Sequence, residues 1–129
     1  MDKAISYIRI LFHILTLLLI IFSLYPGSIL GFMLYGDIKL QPQFTKDFLY
    51  ISSQHLYVYL LVSTLGFFSY LRDRKFNLVV IYLFSLSIIL VFSHLVISER
   101  SFQIPDLAGN ILGVFISYTI VLFYKFWKK

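Results

Sequence analysis

The chain has 129 residues, 60% hydrophobic, 19% aromatic and only 13% charged, with a formal net charge of +5. Soluble domains run nearer about 45–50% apolar and about 25% charged, so the charge here is too sparse to coat a soluble surface and the apolar excess must face lipid. The basic residues sit in short clusters between apolar runs, a pattern that serves membrane orientation rather than nucleic-acid binding, and the absence of cysteine excludes disulfides and thiolate metal sites.

The first apolar run goes from Ala4 to Leu24, and apolar character continues through "YPGSILGFMLYG" to Gly36. One helix over those ~33 residues would reach about 50 Å, far beyond a ~30 Å hydrocarbon core. Pro26-Gly27 is the natural break, which leaves residues 28–36 as a short interfacial or re-entrant segment before the polar loop "DIKLQPQFTKD". The second run goes from Ile51 to Leu71 and ends at "RDRK"; the third goes from Phe76 to Ile97; the fourth goes from Leu107 to Trp127 and ends in "KFWKK". Each is about the 20 residues a spanning helix needs. The first run has a basic start, as a signal peptide does, but no small-x-small site follows it, so it reads as a retained anchor. The expectation is an all-α polytopic membrane protein. Four transmembrane helices form one domain over residues 1–129, with a short interfacial segment after the first.

Lysine and arginine set the orientation. With the N-terminus inside, the inner segments hold Lys3, Arg9, Arg72, Arg74, Lys75, Lys125, Lys128 and Lys129, eight in all, against Lys39, Lys46 and Arg100 outside. That bias predicts both termini on the cytoplasmic side. Tyr25, Tyr35 and Tyr50 then fall near the outer boundary, and Tyr124 and Trp127 near the inner one, where amphipathic rings are favoured.

Against this background the stretch "SERSFQIPDLAGN", residues 98–110, is conspicuously polar. In the predicted topology it forms an outer loop and the start of the fourth helix. Asp106 and Asn110 are four apart and share a helical face, and His55 and Tyr59 do the same on the second helix. With His94, near the outer end of the third helix, and Arg100, these make an expected polar cluster of His55, Tyr59, His94, Arg100, Asp106 and Asn110. Ionisable groups at membrane depth face the bundle interior or water and are functional candidates by default. Plainer roles compete. Asp106, after Pro105, can serve as the N-cap of the fourth helix. Arg100 can pair with Asp106 or snorkel to lipid phosphate, and Glu99 reads as a solvated loop charge. His13, in mid-helix, reads as an interhelical hydrogen-bonder. Gly109, Gly113 and Ser117 form a small-residue stripe suited to close helix packing, within the bundle before between copies. No metal-ligand spacing, hydrolase motif, Walker sequence or dinucleotide fingerprint is present, so no metal, cofactor or catalytic residue is expected.

"RSFQIPDLAGNILG" resembles the second half of the VanZ-like membrane proteins, in which an Arg-Ser loop precedes an Asp-x-x-x-Asn-x-x-Gly helix start. Here those positions are Arg100, Ser101, Asp106, Asn110 and Gly113, and "HLYVY" supplies the family's His-x-x-x-Tyr pair as His55 and Tyr59. The resemblance covers about residues 50–120. It departs at Ile51 and Ser52, where the family often has Asp-Lys, and at Val91 and His94, where it often has Glu-x-x-Gln. The missing carboxylate and lysine mean that the resemblance implies a small bacterial envelope protein, named for a teicoplanin-resistance protein, more than it implies a reaction.

The reading favoured by these residues is a bacterial inner-membrane protein whose outer polar pocket binds or shields an anionic lipid or cell-wall precursor. In it Arg100 supplies charge, and Asn110 and His94 supply hydrogen bonds. The bilayer is its surroundings, and no nucleic acid is a partner. Two alternatives stand beside it. One is a membrane-embedded lipid-modifying enzyme with His55 or His94 as base and Asp106 as orienter. The other is an accessory or structural subunit of a membrane complex, with an unknown protein partner.

Overall fold

The computed structural model describes residues 3–25, 29–37, 46, 51–97 and 103–128. The chain is all-helical there: α1 (Lys3–Leu24), α2 (Ile29–Tyr35), α3 (Ser53–Ser69), α4 (Phe76–Phe92), a single 3-10 turn (Ser93–Leu95) and α5 (Ile104–Trp127). Among the described residues, three segments are long and apolar enough to cross a membrane: Lys3–Leu24, Phe76–Leu95 and Ile104–Trp127, of 22, 20 and 24 residues. This is the make-up of a membrane protein.

Local sequence explains most boundaries. α1 has leucine or isoleucine at 12 of its 22 positions, and Pro26, two residues past its end, cannot continue a helix. In the expected interfacial segment the structure has the seven-residue α2, closed by Gly36 at φ 70° with its N–H bonded to the Phe32 carbonyl (2.9 Å). That left-handed stop is one glycine tolerates best.

α3 is shorter than the run Ile51–Leu71 suggests. Its 17 residues rise ~26 Å, under the ~30 Å of a typical hydrocarbon core. Both ends are set by hydrogen bonds that the sequence pattern does not carry. The Ser52 N–H is taken by the Pro105 carbonyl (3.0 Å), which holds the chain extended before the helix. At the far end, the Tyr70 N–H and the Ser69 hydroxyl both bond the Gly66 carbonyl, and Leu71 bonds back to Phe68, so the chain turns.

α3 and α5 make the most extensive pairing, with α1 laid against α3 and α4 against α5. Matched contacts show that α3 and α5 run parallel. Ser52 meets Pro105, Thr64 Oγ1 meets Ser117 Oγ (2.9 Å), and the Phe68 ring meets Tyr124. α1 runs the other way, since Arg9 near its start reaches the far end of α3, and α4 runs with α1, since His94 at its end reaches Ser23. Buried Phe12, Val62, Phe67, Leu83, Val114 and Val121 fill the centre, and Tyr118 packs against Phe67, Phe76 and Phe84.

The α3–α5 contact depends on two glycines. A Cβ on Gly109 would lie 2.7 Å from the Ser52 carbonyl oxygen, and one on Gly113 2.8 Å from that of Leu56. These are backbone atoms that cannot swing aside. The small-residue stripe of α5 therefore seats α3 within the same chain.

The outer faces are apolar. Ile10, Leu11, Ile14, Leu17, Leu18 and Ile21 of α1 are exposed, as are Leu78, Ile81, Ile88 and Ile89 of α4 and Phe115, Ile120, Leu122 and Phe123 of α5. Removing one such side chain from water is worth roughly 1.5–3 kcal/mol. The belt as a whole thus represents on the order of 20 kcal/mol, more than the about 5–15 kcal/mol net stability of an ordinary domain. Such a surface belongs in hydrocarbon.

One end of the bundle is held by Arg9. Its Nε donates to the Ser69 carbonyl (2.8 Å), its Nη2 pairs with Asp73 Oδ2 (3.0 Å), and its guanidinium lies 4.1 Å from the Tyr70 ring centre. His13 Nε2 lies 2.9 Å from the Tyr70 hydroxyl, and Lys125 Nζ sits over the Phe76 ring at 4.2 Å. The other end carries the polar groups of interest.

Candidate functional site

The starts of α3 and α5 lie side by side, joined by the Ser52–Pro105 hydrogen bond, so the first turns of both helices present their side chains to each other. Because Gly109 has no side chain, α5 approaches close enough for Asp106 and Asn110, one turn apart, to flank His55. His55 Nδ1 lies 2.7 Å from Asn110 Oδ1, and His55 Nε2 lies 3.6 Å from Asp106 Oδ1. The first is a short hydrogen bond. The second is longer than a hydrogen bond and is an ion pair only when the ring is protonated. Asn110 is buried to 1% exposure, and its Nδ2 donates to the Ser87 carbonyl of α4 (3.1 Å). One amide thus ties three helices. His55 and Asp106 are only partly buried, so the imidazole and the carboxylate form the accessible side of the cluster.

Asp106 is not the N-cap the sequence suggested. α5 begins at Ile104 with Gln103 as the capping residue, and Asp106 is the third helical residue. Proline is tolerated in the first turn because its missing N–H has no helical partner to lose, so the helix starts before Pro105. A carboxylate in that turn still faces the positive end of the helix dipole, while its Oδ1 is turned toward His55.

Tyr59 lies one turn deeper than His55 on α3 and is buried to 2% exposure. Its hydroxyl, and that of Ser63 a further turn along, have no hydrogen-bond partner among the described residues. His94 is buried as well, and its Nε2 meets the Ser23 carbonyl of α1 (3.2 Å). Of the six expected residues, the structure therefore gathers His55, Asp106 and Asn110, continues the α3 face with Tyr59, and ties His94 to α1. Arg100 and Glu99 lie outside the described residues. No group of three or more histidine, aspartate or glutamate residues that could hold a metal occurs among the described residues.

Two features escaped the sequence reading. The Ser87 carbonyl that anchors Asn110 is a backbone atom, so no residue type announces it. The Thr64–Ser117 hydroxyl pair was visible only as a small residue in a stripe, although Ser117 at the next i+4 step after Gly113 could have prompted a search for an α3 hydroxyl at that level.

Comparison with family models, with curated proteins and with solved structures finds no match to this chain.

Proposed function

We propose that this is a VanZ-like integral membrane protein of the bacterial cytoplasmic membrane, in which α1, α3, α4 and α5 all cross the bilayer and both termini lie inside. Its role in this reading is to bind or shield an anionic lipid head group or cell-wall precursor at the outer face. The observation that carries it is the His55–Asn110–Asp106 cluster at the starts of α3 and α5. A polar set of this kind at the margin of an apolar bundle is costly without use. The excess of lysine and arginine at the opposite end supports the outward orientation. Arg100 lies in the sequence just before this cluster and brings the cationic charge an anion needs. The VanZ resemblance extends this to a glycopeptide-resistance-like role.

The test uses the full chain in phosphatidylcholine nanodiscs doped with spin-labelled phosphatidylglycerol. The proposal expects the labelled anionic lipid to be enriched around the wild type over a labelled zwitterionic one. Arg100→Ala and Asn110→Ala should each lose that enrichment, and should lower teicoplanin tolerance in cells expressing the protein. Folded variants with undiminished enrichment and tolerance would overturn the assignment.

A second reading, a membrane-embedded lipid-modifying enzyme, is favoured by one observation: His55 stands between an orienting amide and a carboxylate 3.6 Å away, as a general base does. Mass spectrometry of lipids from expressing cells separates the two. A modified lipid that disappears with His55→Gln supports the enzyme, and an unchanged lipid profile removes it.

A further inference from the structure

The amide of Asn110 is held by a group with only one possible role. The Ser87 oxygen is a backbone carbonyl and can only accept, so the Asn110 atom 3.1 Å from it is the Nδ2 amino group. The other end of the amide is then fixed: Oδ1 is the atom 2.7 Å from His55 Nδ1. An amide oxygen also only accepts, so the hydrogen of that bond resides on Nδ1. The chain of roles runs from a backbone atom of α4, through the side chain of α5, to the ring of α3, with no step left free. The geometry selects one tautomer.

We infer that Asn110 is a positioning residue: it holds neutral His55 as the Nδ1–H tautomer and so makes Nε2 the atom through which His55 meets a ligand. Nε2 is the ring nitrogen turned toward Asp106 Oδ1, on the partly exposed side of the cluster. In the neutral ring Nε2 carries a lone pair and accepts. The ligand groups that fit it then have a hydrogen to share, such as a hydroxyl or a singly protonated phosphate. When the ring is protonated, Nε2–H donates instead, and the Asp106 carboxylate and a ligand oxyanion compete for it. This ligand class rests on the anion-site reading above, whereas the tautomer rests on the hydrogen bonds alone.

A second histidine supplies a contrast inside the same molecule. His94 Nε2 lies 3.2 Å from the Ser23 carbonyl, again an atom that only accepts, so this ring carries its hydrogen on Nε2. His55 and His94 are therefore expected in opposite tautomers. A plain packing role for Asn110 would not require this, since an apolar side chain of similar volume could fill the same space.

The experiment is solid-state NMR on the full chain in phosphatidylcholine vesicles, with nitrogen-15 in the histidine rings and at a pH where the rings are neutral. Assignment comes from the signals lost in His55→Gln and His94→Gln. The expected result is a protonated Nδ1 and unprotonated Nε2 for His55, with the reverse for His94. In Asn110→Leu, His55 should shift toward the Nε2–H form while His94 keeps its signals. A wild-type His55 protonated on Nε2 would overturn the inference without need of any variant, as would an unchanged His55 pattern in folded Asn110→Leu. If His55 shows Nδ1–H while phosphatidylglycerol is not enriched, the positioning role stands and the anion-site reading fails alone.

Discussion

At the scale of single residues, the polar side chains of this bundle divide into those with partners and those without, and the two groups should respond oppositely to deletion. Asn110 satisfies both ends of its amide, so its loss leaves the His55 ring and the Ser87 carbonyl each short of a bond. Tyr59 is the converse case: its hydroxyl is buried with no partner among the described residues, one turn from the equally unpartnered Ser63. An unmet buried hydroxyl costs about 1–3 kcal/mol. Tyr59→Phe is therefore expected to leave stability unchanged or raise it by up to ~1 kcal/mol, read from thermal unfolding in detergent. A loss of more than ~1 kcal/mol would mean that the hydroxyl is bonded after all. Much of this scale was legible in the sequence. Amides and imidazoles stand out against hydrocarbon, and four-residue spacing put Asp106 with Asn110 and His55 with Tyr59. What could not be read is which helix each side chain meets across the bundle. His94, for one, meets the Ser23 carbonyl of α1, a backbone atom that no residue type announces.

At the scale of elements, the α3–α5 pairing controls the site, because it brings His55 beside Asp106 and Asn110. Gly113→Ala would push a methyl group to within 2.8 Å of the Leu56 carbonyl and 3.0 Å of the Leu60 nitrogen. Overpacking against backbone costs typically about 1–3 kcal/mol, and the same loss should appear for Gly109→Ala. Gly36→Ala is the control, since nothing lies within 4 Å of its added Cβ and only the φ of 70° is strained. It should cost ~1 kcal/mol or less, confined to the end of α2. Equal unfolding midpoints for all three variants would contradict the close α3–α5 contact. The glycine stripe was readable because small residues at i, i+4 have a steric meaning wherever they occur. The ends of α3 and the start of α5 were less so. One is decided by the bond between Ser52 and Pro105, 53 positions apart in sequence, and the other by how a helix accommodates proline in its first turn.

At the scale of the whole molecule, Arg9 fastens α1 to the turn between α3 and α4, and that attachment has a pH limit. The backbone N–H of Lys75 (2.9 Å), followed by Arg9, holds the Asp73 carboxyl below its ordinary value. A group whose pKa falls on folding stabilises the fold above its unfolded value, about 3.9, and that contribution fades as pH drops through the lower folded value. The protection of residues 70–76 against hydrogen exchange, relative to the intrinsic rate at each pH, should therefore fall below about pH 4, and Asp73→Asn should show the low protection already at neutral pH. Protection in the wild type that stays flat through this range would contradict the role given to the pair. Membrane character was the easiest property to read, because it rests on composition and run length. The count of spanning helices was harder, since α3 is too short to be judged by hydropathy alone and lies largely inside the bundle. Its crossing belongs to the proposed topology.

The central claim is that the His55–Asn110–Asp106 cluster opens at the outer face of a membrane bundle. A chain without cysteine allows that to be tested cleanly. Gln103, exposed at the start of α5, and Arg74, exposed in the turn at the opposite end, can each be replaced by a single cysteine and treated in intact cells with a membrane-impermeant maleimide. The account predicts labelling of Gln103→Cys and protection of Arg74→Cys until the cells are opened. Labelling of Arg74→Cys with protection of Gln103→Cys would invert the topology and contradict it.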